Sequence, residues 1–352
     1  MAQEADRPEL WLRQQAAAGG RWSRLAVAAG LLAAAATVAL YAQLAAIIAA
    51  WVEGGTPSAW SLLYLVPLLV LLRSVLQAGK DWAGARAGLA VRQRLRRRLL
   101  TQLAALGPLR AGVGSDGELS TTVLEQVDAL NDYYARYRPQ TLLAALIPLM
   151  IALAVAPRSW LAAVVLLVTA PLIPLFMVLV GKGAAAASER QVVALGVMGG
   201  RFLDLLRGAS TLRLLGRGET GTRWIEHASE EYRKRTMGVL RLAFLSSAVL
   251  ELFASIAIAM VAVYLGLSLL GWFHWGHYGV PMQLEHALFI LMLAPEYYAP
   301  LRQLGAEYHA RAQAIGAAQA IARLEAADST IGRPLQSGRL RARPDGIHLA
   351  FE

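Results

Sequence analysis

The chain has 352 residues, of which 57% are hydrophobic and only 16% are charged, and it contains no cysteine. Without cysteine, this sequence cannot form disulfides, iron–sulfur clusters or thiolate metal sites. Its formal net charge of +10 indicates contact with anionic lipid headgroups rather than with nucleic acid, because long apolar segments dominate the composition.

Six apolar segments follow a short amphipathic N-terminal segment, residues 1–24, which contains several arginines. We predict that each apolar segment crosses a membrane, since a span needs about 20 mostly apolar residues. The third is the weakest, but an odd number of spans would not fit the distribution of charge. The first is too long for the apolar part of a signal peptide. The predicted spans are Leu25–Val52, Trp60–Ala78, Ala135–Ala156, Trp160–Val180, Leu242–Gly271 and Leu284–Leu301.

The basic residues fall on one side of these segments. Of 34 Lys and Arg, 32 lie before the first segment, in residues 79–138 and 181–241, or after residue 301; only Arg73 and Arg158 lie elsewhere. Cytoplasmic loops retain Lys and Arg, whereas translocated loops lose them. The pattern therefore predicts an all-α, six-span membrane protein with both termini in the cytoplasm. The connections expected outside are Glu53–Ala59, Pro157–Ser159 and Phe273–Gln283.

The two long connections on the basic side are predicted to be helical, each with one glycine-rich turn. Ala, Leu and Arg recur with few helix breakers, so we expect the second span to continue as a helix well beyond the membrane. The predicted helical stretches are Asp81–Leu106, Ala184–Arg207 and Thr222–Arg241, and the turns are Gly107–Gly117 and Gly208–Gly221.

Each turn contains a GxGxxG pattern, Gly112–Gly117 and Gly216–Gly221. A dinucleotide site needs a strand before this pattern and a helix after it, and here both patterns lie between helical stretches. We interpret them as turns. The pattern GxxxxGK[ST] does not occur in the sequence, so the chain as given has no phosphate-binding loop of that type.

The C-terminal residues differ in character. Proline and glycine recur after Gly332, as in a linker, and Ile347–Phe351 alternates with a period of two, as a strand does. We expect residues 25–328 to be one membrane domain. Residues 329–352 are then predicted to be a linker and the first strand of a further domain.

Two histidines, His274 and His277, lie between aromatic residues on the predicted outer side. An H-x-x-H pair can contribute to a metal site, but no third ligand is evident close by. The alternative is an aromatic belt at the membrane–water boundary, which explains the surrounding Trp and Tyr without a metal. We prefer the belt.

The sixth segment carries an unusual polar face. Ionisable residues in a spanning helix usually face a cavity or the bundle interior, so this face is a candidate substrate path. The alternative is that Arg302 and His309 have already reached the cytoplasmic interface, where Arg side chains extend to the headgroups; the residues leave both open. Pro295 and Pro300 predict a kink. At helical spacing the face comprises Tyr298, Arg302, Gly305, His309, Gln313 and Gly316.

Three further charges lie within apolar segments: Arg73, Glu251 and Glu296. Each is expected to line a cavity or to pair with a neighbouring span. The sequence does not distinguish these two roles.

The spans, the two helical connections and the terminal strand together resemble the membrane domain of an ABC exporter, which has the type IV fold. Gly117-Glu118-Leu119 followed by Asp128 resembles the signature after the first coupling turn, and GASTLRLLG (Gly208–Gly216) resembles the second connection. The resemblance implies that the turns are coupling helices on ATP-binding domains, which hold ATP and Mg²⁺ and would follow Glu352. The residues implied in coupling are Gly112, Gly114, Ser115, Asp116, Arg207, Ser210 and Thr211.

The string LAPEYYAPLRQLGAEYHARAQAIGAAQAI (Leu293–Ile321) resembles a heterodimeric branch of these exporters, which supports cytochrome bd assembly. Both haem and cysteine or glutathione have been described as its cargo. The resemblance implies a homologous half-transporter as partner. For haem it implies His309 as axial ligand and Arg302 at a propionate. For glutathione it implies Arg302 and Tyr298 at the carboxylates and His309 as a polar contact. Gln313, on the same face, is the fourth candidate cargo contact.

Two other functions share part of this pattern. A lipid or multidrug exporter would have the same spans without needing His309. A passive haem-binding membrane subunit would use His309 without an ATPase partner, although such subunits usually present several intramembrane histidines.

Overall fold

The computed structural model describes residues 8–56, 58, 60–107, 116–172, 175, 207–208, 210, 214–216 and 218–330. Within these residues the chain forms helices joined by turns, and no strand occurs among them. The predicted all-α class is therefore confirmed for this part of the chain. The predicted strand 347–351 and nearly all of the predicted helix 184–207 lie outside the described residues.

The helices are long near both ends of the described chain and short between residues 116 and 137. Three segments have the wider π-helical winding, Ser61–Leu65, Thr122–Gln126 and Tyr133–Tyr137, and Ala16–Gly19 has the tighter 3₁₀ winding. The α-helices are α1 Pro8–Gln15, α2 Gly20–Val52, α3 Val66–Leu106, α4 Asp116–Thr121, α5 Val127–Ala129, α6 Arg138–Val155, α7 Trp160–Thr169, α8 Gly218–Leu269, α9 Leu284–Ala306 and α10 Tyr308–Thr330.

Local sequence explains several of these boundaries. Gly107, directly after α3, has a φ of +52°, a left-handed conformation that favours glycine and commonly ends helices. Ser159 caps α7, because its hydroxyl accepts a hydrogen bond from the Ala162 amide at 3.2 Å. The predicted turn at Gly107 is thus a real helix end, whereas residues 108–115 of that turn lie outside the described residues.

In the part of the chain that the structure describes, four helical segments are long and apolar enough to cross a membrane: Pro8–Val52, Ser61–Leu106, Leu119–Val155 and Glu251–Leu269. They contain most of the first, second, third and fifth predicted spans. The fourth predicted span begins as α7, an apolar helix of 10 residues, and the sixth forms α9, a helix of 23 residues that carries several charged side chains. Four of the six predicted spans therefore lie on helices of sufficient length and hydropathy, and the crossing of a membrane by all six stays a prediction.

The chain divides into two compact units. The first unit comprises Met1–Ser23, Ala83–Arg136 and Ala310–Glu352. Its core contains apolar side chains from α1, the later part of α3, residues 123–134 and α10. Tyr134 donates a hydrogen bond to the carbonyl oxygen of Leu12 (2.8 Å), which fixes two distant segments to each other inside this core.

Asp128 lies on the outside of the same unit and joins α5 to α3. One oxygen of its carboxylate accepts hydrogen bonds from Arg92 (2.8 Å) and from Arg96 (3.0 Å). The hydrogen bond from Arg92 holds the pKa of Asp128 below its ordinary value. Asp128 is the acidic residue of the signature noted in the sequence, and its observed role is this ion pair.

The second unit comprises Arg24–Trp82 and Tyr137–His309. Its core is formed by α6, α7, α8 and α9, and α9 packs against both α6 and α8. The hydroxyl of Ser159 also donates to the carbonyl oxygen of Gly276 (3.0 Å) and lies 3.0 Å from the hydroxyl of Tyr264. These bonds tie the loop between α8 and α9 to the start of α7.

Candidate functional site

A cavity of about 310 Å³ lies inside the second unit, between α2, α3, α6 and α9. Small side chains of α2 leave the space, and polar side chains of α3 and α9 project toward it. Polar groups are expensive in apolar helices and usually face a cavity there. The lining residues are Gly30, Ala33, Ala34, Thr37, Val38, Arg73, Gln77, Lys80, Gln140, Leu143, Ile147, Ile151, Leu293, Glu296, Ala299, Pro300 and Gln303.

An ion pair joins α3 to α9 at this cavity. The Arg73 guanidinium donates to Glu296 Oε1 at 3.0 Å, and the Tyr41 hydroxyl of α2 donates to the same oxygen, also at 3.0 Å. About two thirds of each charged side chain is shielded, with 38% of Arg73 and 28% of Glu296 exposed. Three helices therefore meet at one carboxylate oxygen.

A second cation, Lys80, lines the cavity from the same face of α3. Its side chain is only 12% exposed, and its ammonium lies 3.7 Å from Asp81, whose own side chain is 67% exposed. Arg73 and Lys80 each carry one positive charge and Glu296 carries one negative charge. The ionisable groups that line the cavity thus leave it with a net positive charge.

Neutral polar groups complete the lining. The side-chain amide of Gln140 donates to the carbonyl oxygen of Pro300 (2.9 Å), which joins α6 to α9 beside the cavity. Gln77 and Gln303 contribute further side-chain amides. Amides offer both donors and acceptors, so the cavity can bind carboxylate, ammonium and peptide groups.

The structure separates the three charges that the sequence indicated as possible cavity residues. Arg73 and Glu296 line the cavity together and pair. Glu251 does not line it; instead both of its carboxylate oxygens accept hydrogen bonds from Arg302, at 2.9 and 2.8 Å. Both bonds come from one nitrogen of the Arg302 guanidinium, and this ion pair joins α9 to α8.

The four cargo contacts expected on the sixth segment do not line this cavity. Tyr298 is buried and its hydroxyl lies 2.6 Å from that of Thr169, and Arg302 binds Glu251. His309 and Gln313 are exposed and belong to α10, because α9 ends at Ala306. The expected polar face is therefore interrupted at Glu307, which lies between the end of α9 at Ala306 and the start of α10 at Tyr308.

The two histidines of the outer loop differ in their surroundings. His277 is buried, with Nε2 3.2 Å from the carbonyl oxygen of Phe273, whereas His274 is exposed. No group of three or more potential metal ligands occurs in the part of the chain that the structure describes. Trp275 stacks on Phe273, with ring centroids 5.8 Å apart.

Most of the predicted coupling residues lie outside the described residues, namely Gly112, Gly114, Ser115 and Thr211. Asp116 is the first residue of α4. Arg207 and Ser210 are exposed. Their role in coupling stays a prediction.

The sequence analysis did not single out several cavity residues: Tyr41, Gln77, Lys80, Gln140 and Gln303. One signal was present, because Arg73, Gln77 and Lys80 are spaced by four and three residues and so lie on one helical face. This spacing indicates that the three polar residues of α3 share one face of the helix, but it does not indicate which other helix that face contacts.

Known proteins resemble this chain over most of its length. A family model described as "ABC transporter transmembrane region" matches residues 24–290. The chain is 45% identical over 320 residues to "Transport ATP-binding protein AarD" of Providencia stuartii, which covers 90% of this chain and 54% of that protein.

Two further relatives have more specific names. The "Glutathione/L-cysteine transport system ATP-binding/permease protein CydD" of Escherichia coli (strain K12) is 45% identical over 315 residues, which is 88% of this chain and 53% of the relative. The "Glutathione/L-cysteine transport system ATP-binding/permease protein CydC" of Bacillus subtilis (strain 168) is 36% identical over 216 residues, which is 61% of this chain and 37% of the relative.

This chain spans about half the length of the AarD and CydD relatives that it matches. The family model alone covers about three quarters of the chain. With its CydD-like sequence and its apolar helices around a polar cavity, the chain belongs to the ABC transporter transmembrane region family.

Proposed function

We propose that this chain is the membrane-spanning part of an ATP-driven exporter half-subunit that moves cysteine or glutathione out of the cytoplasm. It acts in the bacterial inner membrane, with both termini in the cytoplasm, and pairs with a CydC-like half-transporter. The polar cavity of the second unit carries this proposal, because two cations, one carboxylate and several amides converge there between apolar helices.

The chemistry of the cavity favours an amino acid or a short peptide as cargo. Its volume of about 310 Å³ is at the lower end of the roughly 300–1,000 Å³ of small-molecule sites. Arg73 and Lys80 attract carboxylates and Glu296 attracts an ammonium group. The names of the CydD relatives, which specify glutathione and L-cysteine transport, agree with this class.

The energy for transport comes from ATP bound with Mg²⁺ on ATPase domains of the full-length protein. ATP must bind more tightly when the cavity is open to the outside, because a ligand with equal affinity for both states shifts neither. The two glycine-rich turns, around Gly112–Gly117 and Gly208–Gly216, transmit the movement of these domains to the helices.

The proposal is tested with the full-length protein and its partner in inverted membrane vesicles, by ATP-dependent uptake of labelled glutathione and cysteine. We expect Arg73→Gln to reduce uptake of both thiols by about tenfold or more, since it removes a charge-assisted contact and leaves Glu296 without its charged partner. Arg223→Gln is the control, because Arg223 is 77% exposed and contacts only Glu219 of its own helix among the described ion pairs. Wild-type vesicles that take up neither thiol would overturn the proposal.

Uptake of haem can be measured in the same vesicles. Export of haem, the alternative cargo, would support cytochrome bd assembly. His309 is exposed at the start of α10, where an imidazole is accessible to a ligand. Haem uptake that disappears in His309→Ala while thiol uptake is absent from wild type would favour the haem function. Uptake of lipids or unrelated drugs alone would favour a lipid or multidrug exporter.

A further inference from the structure

The cavity has two ends with different charge. Arg73 and Lys80 both line it and are seven residues apart on α3, which corresponds to about 10 Å along the helix axis. On α2, the lining extends from Gly30 to Val38, about 12 Å by the same rise per residue. The cavity is therefore elongated along these helices.

At one end the charges are balanced. Glu296 binds both Arg73 and Tyr41 through a single oxygen, so a positive and a negative group stand side by side. An amino-acid end with its own ammonium and carboxylate complements such a pair, with the ammonium toward Glu296 and the carboxylate toward Arg73.

At the other end the positive charge is poorly compensated. Lys80 is 12% exposed, and its nearest carboxylate, Asp81, is 3.7 Å away and 67% exposed. A side chain added at Gly30 would lie 3.3 Å from Lys80 Cδ and 2.8 Å from Leu143 Cδ1, so the surroundings of the lysine stem are close and apolar. A shielded charge is costly unless it is paired, and a carboxylate of the cargo would give Lys80 a closer and better shielded partner than Asp81.

We propose that Lys80 binds a second carboxylate of an elongated, net-anionic peptide and thereby makes this site prefer glutathione to cysteine. The inference rests on the proposed function and adds its specificity. Three residues of extended chain span about 10 Å, the separation of the two cationic positions. Glutathione has a carboxylate at each end and one ammonium, whereas cysteine has one of each and is too short to reach both ends.

The test uses the purified full-length protein with its partner and measures binding by isothermal titration calorimetry. The probes are glutathione, cysteine and ophthalmic acid, the glutathione analogue in which a methyl group replaces the thiol. We expect Lys80→Gln to weaken binding of glutathione and of ophthalmic acid by about 10- to 100-fold, the effect of losing one charge-assisted hydrogen bond, and of cysteine by less than about twofold.

Two variants control for structural damage. Lys80→Arg keeps the positive charge and should retain most of the affinity for glutathione. Lys234→Gln removes a lysine that is 70% exposed and 4.0 Å from Glu230, and should leave all three affinities unchanged. Binding of cysteine to Lys80→Gln at nearly wild-type affinity shows that the cavity has kept its structure.

The outcomes separate this inference from the proposed function. Equal weakening of glutathione and cysteine in Lys80→Gln, or no weakening of either, would overturn the role of Lys80. If wild-type protein binds ophthalmic acid in a Lys80-dependent manner but transports no thiol, the carboxylate preference stands and thiol export is wrong. A wild-type protein that binds none of the three probes would overturn both.

Discussion

At the scale of single residues, the adjacent tyrosines Tyr297 and Tyr298 of α9 differ in the hydrogen bonding of their buried hydroxyls. Both are fully buried, and their rings meet edge to face with centroids 5.0 Å apart. The Tyr298 hydroxyl lies 2.6 Å from the Thr169 hydroxyl. The Tyr297 hydroxyl has no hydrogen-bond partner among the described residues, which is an unfavourable state for a buried polar group.

This difference predicts opposite results for the same substitution. Tyr298→Phe should lower the free energy of unfolding by about 1 kcal/mol, because it removes the hydrogen bond between the Tyr298 and Thr169 hydroxyls. Tyr297→Phe should be neutral or slightly stabilising, since it removes a hydroxyl that gains nothing from burial. Thermal unfolding of the two variants in detergent is the measurement. A larger loss for Tyr297→Phe than for Tyr298→Phe would contradict the prediction.

At the scale of elements, α3 depends on glycines for its contact with residues 131–135 of the first unit. An added Cβ at Gly84 would lie 2.3 Å from the backbone oxygen of Ala135, and one at Gly88 would lie 2.7 Å from the side-chain oxygen of Asn131. Two glycines four residues apart lie on one face of a helix. This face allows the two segments to approach backbone to backbone.

Replacing the glycine at the closest contact should therefore damage this packing. We expect Gly84→Ala to lower stability by about 1–3 kcal/mol, the usual cost of overpacking, because the obstructing atom belongs to the backbone and moves little. Unfolding of the purified protein, followed by temperature or denaturant, measures the effect.

Gly79→Ala is the matched control on the same helix. Nothing lies within 4 Å of an added Cβ there, and alanine is favoured over glycine in helices by about 0.5–1 kcal/mol. This variant should be as stable as wild type or more stable. If both substitutions lower stability equally, the close contact between Gly84 and the backbone of Ala135 is not the reason for the loss.

At the scale of the whole molecule, the distribution of Lys and Arg predicts which connections face the cytoplasm. Apolar segments alone define spans but not their direction, whereas the asymmetry of basic residues sets the orientation. Among the described residues, four helices have sufficient length and hydropathy for spans. The orientation stays a prediction, and the absence of native cysteine makes it simple to test.

Single cysteines introduced on opposite sides should react differently with a membrane-impermeant maleimide. His274→Cys, in the loop before α9, should react in spheroplasts, in which the inner membrane is intact and its periplasmic face is accessible to the reagent. Glu226→Cys, exposed on α8, should react only after the membrane is disrupted. The reverse pattern would refute the predicted topology and, with it, the proposed direction of transport.

The sequence by itself determined the helical class, the main apolar helices and the family. These properties depend on the composition and periodicity of consecutive residues, which remain readable without knowledge of the fold. It also indicated Arg73 and Glu296 as unusual charges. It did not show that they meet, because 223 positions separate them along the chain.

The tertiary structure alone decided which polar residues share a site. It pairs Arg302 with Glu251, places Tyr298 in the core and interrupts the sixth-segment face at Glu307. It also brings Lys80 and Gln140 to the cavity of Arg73. The physical reason is that a side chain's partner in a helical bundle is set by the packing of whole helices, and this packing is not a property of any one segment.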